Sequence, residues 1–280
     1  MPGVRGFFVD PVDGAGPTER FTSRAEAYAR YRPGYPAAAV DAVLEGLGGS
    51  SVREDGRVVW PGVAADVGAG TGIFSRLLAG RGATVWAVEP NVAMREAGGA
   101  VGGGGDGADG VRWRAGTGEA TGLEAGSVGL VSCAQAFHWL DGERALEEFA
   151  RVLAPGGRVA LVWNVREGGA FLDGYAALIG AHAGANVSGT WLEGVDVEAL
   201  LGGWFGGARS AVFGHGEWMD AAGVLGRAMS ASYVPNRGWA RERFEGELMA
   251  LFARHAERGD DGVERVWWGH ETRVFLAESG

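Results

Sequence analysis

The stretch from Val63 to Leu78, VAADVGAGTGIFSRLL, constrains this chain more than any other. A short apolar run, Val63 to Val67, reads as a buried strand, and three glycines at alternate positions follow it: Gly68, Gly70 and Gly72. Ile73, Phe74, Leu77 and Leu78 then recur at helical spacing. Strand, glycine turn and helix in that order open a doubly wound α/β domain. Glycine in such a turn permits positive φ and lets a ligand approach bare backbone. The helix that follows directs its amide donors at that ligand. A dinucleotide fingerprint needs glycine at the first, third and sixth positions, and the sixth from Gly68 is Ile73. A phosphate-binding P-loop needs Lys before Ser or Thr, and the chain contains no Lys. Asp66, two residues before the first glycine, would repel a pyrophosphate and suits a cationic ligand, such as one carrying an ammonium and a sulfonium. Glu89 ends the next apolar run, residues 83–88, where a nucleoside-binding fold places the carboxylate that holds the ribose hydroxyls.

Asp66-x-Gly68-x-Gly70-x-Gly72 together with Glu89 resembles the class I S-adenosylmethionine (SAM) dependent methyltransferases. The resemblance implies SAM as cofactor and S-adenosylhomocysteine (SAH) as its product, with contacts at Asp66, Gly68, Ala69, Gly70, Glu89 and Pro90. Two further segments are similar to small-molecule methyltransferases related to trans-aconitate methyltransferase. Tyr28, Arg32, Pro33, Tyr35 and Pro36 follow that family's Y-x-x-x-R-P-x-Y-P pattern. There the segment lies over the methionine end of SAM, which makes Tyr31 and Arg32 candidate carboxylate contacts. AQAFHW, residues 134–139, is close to the family's wording and brings Gln135, Ala136 and Phe137 to the cofactor. Gly116 and Glu119 match a G-x-A-E segment that borders adenine in the family, with Gly118 replacing the usual small apolar residue and leaving a backbone contact. A helix-start or surface carboxylate is the other reading of Glu119. Gly129 stands where the family usually carries Asp.

Taken in order, residues 1–20 read as a flexible arm and 21–280 as one methyltransferase domain. Within it, residues 21–47 form an N-terminal helical lid, 61–164 the cofactor-binding core, 165–264 further core elements with helical cap insertions, and 265–280 the final strand. Residues 37–47 read as a helix and 48–61 as a loop. A helix over 92–97 leads into a floppy Gly-rich insertion, 98–110, without chemistry. Strands are expected at 111–114, 127–134, 158–164 and 210–218, with a last, antiparallel one at 265–277. Helices are expected at 143–153, 171–183, within 191–205, and at 221–231 and 241–258, from their apolar spacing. The fold is therefore an α/β Rossmann-like, doubly wound, seven-stranded, mostly parallel sheet with the last strand antiparallel. The aromatics Trp191, Trp218, Tyr233 and Trp239 read as core, with a cap lining as the alternative.

Composition narrows the partners. A net charge of −10 argues against a nucleic-acid-coating surface and against anionic membranes, leaving a small-molecule acceptor and a monomer or homodimer. The single cysteine excludes an internal disulfide and a Cys-rich zinc site. No metal is expected, since the histidines show no helical pairing. No signal peptide or membrane span is expected, which points to the cytoplasm. The function implied is methyl transfer from SAM to an O-, N- or C-nucleophile, carboxylates included. A SAM-binding enzyme of cyclisation or decarboxylation keeps the same motifs, and an NAD-dependent oxidoreductase is disfavoured by the glycine spacing. His138, the one histidine in the site segment, reads as a general base for an acceptor that must lose a proton, as a donor that orients a carboxylate acceptor, or as a packing residue.

Overall fold

The structure is a computed structural model of the 280-residue chain. It describes residues 32–101, 107, 109–183, 192, 194–231, 234–235 and 237–280. The lid helix expected before Arg32, with Tyr28 and Tyr31, lies outside the described residues, as do Trp191 and Tyr233.

In chain order the elements are α1 (Ala37–Leu44), β1 (Ser51–Val52), β2 (Val58–Val59), β3 (Val63–Val67), α2 (Ile73–Ala79), β4 (Thr84–Val88), α3 (Val92–Val101), β5 (Val111–Arg114) and β6 (Val128–Ala134). A short 3-10 turn (Phe137–Trp139) leads to α4 (Gly142–Val152) and β7 (Leu153–Arg166). The rest is α5 (Ala170–Ala183), α6 (Val197–Gly202), β8 (Gly206–Met219), α7 (Ala221–Met229), α8 (Gly238–His255), β9 (Glu257–Arg258) and β10 (Glu264–Glu278). The sheet order is β5-β4-β3-β6-β7-β10-β8, with the two-residue β9 added to β10. The neighbours from β5 to β7 are parallel, and β10 runs antiparallel to both β7 and β8. The expected sheet is present, enlarged by β9, and the antiparallel last strand is inserted between β7 and β8.

Each face of the sheet buries a separate apolar layer. Val40, Val43 and Leu44 of α1 and Phe74 and Leu78 of α2 cover Ala64, Val85, Leu130, Val162 and Val274. Leu146, Phe149 and Val152 of α4, with Val197 and Leu201 of α6, cover Val67, Val131, Leu161 and Trp163. The parallel strands read as near-continuous apolar runs because both their faces are covered. A third cluster joins α5, α7 and α8 to the end of the sheet, where Tyr175, Val224, Phe244 and Leu248 pack with Val266 and Trp268.

Three differences from the sequence reading have local causes. The loop expected at 48–61 contains a hairpin, β1 pairing antiparallel with β2. Strand β7, expected at 158–164, starts at Leu153 and takes in an excursion at Pro155-Gly156-Gly157. Val128 pairs with Leu153 but Leu130 with Arg158, and Gly156 sits at φ +72°. Helix α3 runs on through Gly98 to Val101, beyond the expected end at 97. Gly98 is part of the packing, since a Cβ there would lie 2.3 Å from the Trp113 ring and 3.0 Å from the Thr71 carbonyl oxygen. At Gly129 a Cβ would meet the Trp60 ring at 2.9 Å, so the buried Trp60 takes the space a larger side chain would use.

Candidate cofactor and acceptor site

Strand order reverses at β3, whose successor β4 lies on one side and β6 on the other. In an open α/β sheet, ligands bind beyond the carboxyl ends of the strands at such a switch point. Two segments meet there. After β3 the chain turns through Gly68, Gly70 and Gly72, at φ +68°, +58° and +76°. After β6 it turns through Gln135, the only non-glycine residue at positive φ among the described residues, at +57°. A Cβ on Gly68 would lie 2.5 Å from the Cβ of Ala136, so the two turns are in direct contact and only glycine fits the first.

The glycine turn is held by the Val88 carbonyl and by the Glu89 carboxylate. Gly68 and Ala69 donate their backbone N–H groups to the Val88 carbonyl, tying the turn to β4. Glu89 Oε2 accepts from the Gly70 N–H at 2.9 Å, and its Oε1 accepts from the Asn91 N–H at 2.9 Å. Burial raises the Glu89 carboxyl pKa, opposed by those two N–H groups and by the charge of Arg95. Arg95 donates to the Glu89 and Pro90 carbonyls, which fixes the chain leaving β4. An ionised carboxylate has about four acceptor positions, so Glu89 keeps capacity for a diol. Asp66 is buried beneath the turn, its Oδ2 accepting from Ser75 Oγ at 2.6 Å and its Oδ1 from Ser132 Oγ at 2.8 Å. Burial pushes its carboxyl up to about 6, against the pull of the serine hydroxyls. Thr71, in the same turn, has a buried hydroxyl without a hydrogen-bond partner.

Beyond β5, residues 116–120 form a narrow turn closed by pairing of Thr117 with Ala120. A Cβ at Gly118 would strike the Leu140 side chain at 2.4 Å, which accounts for glycine where a small apolar residue was expected. The Glu119 carboxylate accepts from the Asp141 N–H at 2.8 Å. It thereby fastens this turn to the segment that follows β6.

That segment carries the remaining expected residues. The Gln135 N–H donates to the Val162 carbonyl and its Nε2 to the Asn164 carbonyl at 2.9 Å, pinning the left-handed residue to β7. Phe137 is buried against Phe149. The His138 ring lies 4.9 Å from Trp139, and its Nδ1 accepts from Trp163 Nε1 at 3.4 Å. Burial and the Arg32 charge push its pKa down to about 4, so the ring is neutral at pH 7. An indole N–H only donates. With Nδ1 accepting, the ring proton sits on Nε2.

The segment that begins at Arg32 crosses this region. Asn164 Nδ2 donates to the Gly34 carbonyl at 2.9 Å, and the Tyr35 ring packs edge-on to Phe74 at 5.0 Å. Sequence reasoning missed a polar cluster beside it. His215 and His270, on neighbouring strands in register, stack at 5.3 Å. Asn164 Oδ1 faces His215 Nε2 at 3.4 Å and accepts from Thr272 Oγ1. Arg227 of α7 is buried and pairs with Glu217. Nothing in a single strand's alternation reveals which other strand it pairs with, so this cluster was invisible to spacing arguments. The core reading of Trp218 and Trp239 is corrected: they are 50% and 72% exposed. Trp218 packs edge-on to Trp267, three residues along the strands from His215 and His270 and therefore on the opposite face of the sheet. No metal-ligating cluster occurs among the described residues.

The site thus combines a doubly wound sheet with an inserted antiparallel strand, a glycine turn after its first parallel strand and a carboxylate after the second. Residues 65–161 match the family described as "Methyltransferase domain". An uncharacterized methyltransferase of Mycobacterium tuberculosis is 40% identical over 156 residues, 52% of this chain and 53% of that protein. The chain thus spans about half the length of the curated relatives it matches. A Schizosaccharomyces pombe protein named as an uncharacterized methyltransferase is 52% identical over 54 residues, 19% of this chain and 22% of its own. Among solved structures, a protein of Anaeromyxobacter dehalogenans described as a type II methyltransferase superposes with TM-score 0.62 at 20% identity, covering 89% of this chain and 98% of its own. The YcgJ protein of a Bacillus gives 0.53 at 16%, covering 86% and 98%. These structures share the fold.

Proposed function

We propose that the chain transfers a methyl group from SAM to a small-molecule acceptor. The observation that carries this reading is the contact of the glycine turn, bridged to Glu89, with the Gln135–Trp139 segment at the switch point of the sheet. The cradle suits SAM: backbone too tight for any side chain at Gly68, an orphaned Thr71 hydroxyl and two buried carboxylates suit a cationic nucleoside better than a pyrophosphate. Glu89 takes the ribose diol. The backbone of Gly68, Ala69 and Gly70, with Asp66 beneath it, receives the methionine end, and Arg32 its carboxylate. Pro90, Gly118, Glu119, Gln135, Ala136 and Phe137 wall the rest. SAM supplies an activated methyl group, and the protein's contribution is alignment, which lowers a barrier by up to ~7–11 kcal/mol. The Arg32–Pro36 and AQAFHW segments support the small-molecule subfamily to which the sequence is similar. The net charge of −10 supports the absence of nucleic-acid and anionic-membrane partners, and the reading takes the protein to be cytoplasmic and a monomer or homodimer.

Calorimetry is expected to give micromolar binding of SAM and SAH and none of NAD. Binding of NAD alone would overturn the assignment.

His138 acts in this reading as a neutral donor through Nε2 that orients the acceptor, the role its tautomer supports. Loss of one neutral hydrogen bond costs about 0.5–1.5 kcal/mol. His138→Ala is therefore expected to lower kcat/KM by up to about tenfold, with SAH affinity unchanged and no recovery at high pH. A fall of two to four decades that recovers at high pH would mark a general base instead.

A further inference from the structure

Beside the cofactor cradle, the cap closes over a group of cations in a chain whose net charge is −10. Arg227 of α7 is 7% exposed. Its Nη2 pairs with Glu217, a half-exposed side chain, while its Nε and Nη1 are buried without a hydrogen-bond partner. The guanidinium lies over the Trp268 ring at 5.7 Å, and the Trp268 indole N–H is likewise buried without a partner. Strand register sets His270 of β10 beside Arg166 of β7 and His215 of β8. Arg166 is held over the Tyr175 ring at 5.4 Å. Burial, the charges of Arg227, Arg166 and Arg32, and the neighbouring His215 ring push His270 down to about 3. Among the described residues, Glu217 is the one carboxylate acting on either His215 or Arg227. Buried polar groups normally find partners, and a buried guanidinium is the residue type best fitted to grip an oxyanion by two N–H groups at once.

We propose that Arg227 is the acceptor-orienting residue: Nη1 and Nη2, the end-on fork of its guanidinium, grip an oxyanion of the acceptor, beside the Trp268 indole N–H, His215 and His270. This deepens the methyl-transfer reading and rests on it. Asn164 joins this cluster to the cofactor side, since its side chain meets His215 and Thr272 while its carbonyl receives the Gln135 amide. Alternate residues put Glu217 and Trp268, then His215 and His270, then Thr272 and Asn164 in one row on one face of the sheet, which leads from Arg227 to the Gln135 tie. Glu217 holds Nη2, one half of that fork, and competes with the incoming anion for the same N–H group.

The test is calorimetric titration of the full chain with benzoate, with benzamide as its neutral counterpart, and with inorganic phosphate, each with and without saturating SAH. Benzoate or phosphate is expected to bind the natural protein at millimolar concentration or below, and benzamide is not. The two anions distinguish a carboxylate from a phosphate acceptor. Arg227→Met is expected to weaken anion binding at least tenfold while leaving SAH affinity in place, and Glu217→Gln is expected to strengthen it. Anion-dependent thermal stabilisation, seen in the natural protein and lost in Arg227→Met, separates this from a structural role. If Arg227→Met proves unfolded, Arg227→Lys serves, with the same loss of two-pronged binding expected. Binding of neither anion, or equal binding by the natural protein and the folded Arg227 variant, overturns the proposal. Because the anion titration is also run without SAH, loss of SAH binding counts against the methyl-transfer reading alone.

Discussion

Replacing Glu89 is expected to reduce SAM affinity more than any other single change at the site. Both carboxylate oxygens accept backbone N–H groups, from Gly70 and Asn91. A glutamine at 89 must turn its NH2 group toward one of those donors, so even the isosteric variant breaks the bridge between the glycine turn and the chain leaving β4. A hydrogen bond to a charged group contributes about 1.5–3 kcal/mol, which converts to roughly ten- to a hundredfold in affinity. Calorimetric titration with SAH on Glu89→Gln and Glu89→Ala, alongside a melting curve, reads both consequences. A folded variant with natural affinity would place the ribose elsewhere.

Asp66→Asn is expected to make the protein more stable near neutral pH while weakening its hold on SAM. The folded state raises this carboxyl from 3.8 to about 6, chiefly through burial. Between those values the folded protein binds more protons at this site than the unfolded chain does. Stability therefore falls as pH rises through this window, and the deficit is fully present above about 6. Two pKa units correspond to about 3 kcal/mol at 1.36 kcal/mol each. An amide is accommodated because Ser75 and Ser132 both carry hydroxyls that donate or accept. Denaturant unfolding at pH 7.5 is expected to show Asp66→Asn more stable by up to about that amount, with the advantage shrinking toward pH 4. Equal stabilities at both pH values would show that the buried charge costs the fold nothing. The loss of a charge facing a cationic ligand is read from the SAH and SAM affinities of the same variant.

The parallel half of this domain was legible because its signals are local. Val63–Val67, the glycine turn and the helix after it lie within sixteen residues, and the run that ends at Glu89 repeats the pattern of a strand buried on both faces. Asp66 and Glu89 were visible as residue types at strand ends, but not the serines that hold the one or the backbone donors that hold the other. The antiparallel part resisted. His215 and His270 are far apart in the chain and meet through a register set by two long strands, and alternation in a strand names its faces without naming its neighbour. The exposure of Trp218 and Trp239 failed to follow from their size, because an outer strand and the first turn of α8 leave large apolar side chains uncovered. Gly98 misled in the opposite sense: a glycine-rich run reads as slack chain, but this glycine makes room for the Trp113 ring.

Gln135 carries a consequence for how this molecule trades durability against use. A side chain at φ +57° costs on the order of 1–2 kcal/mol relative to a right-handed conformation, and glycine, which occurs 52 times in the chain, would remove that cost. Its two bonds to β7 hold the residue in place. Selection for stability alone would favour glycine there. A glutamine instead keeps the backbone wound like a cocked spring between the glycine turn and the histidine cluster, and its amide is the only side-chain tie from that turn to Asn164 among the described contacts.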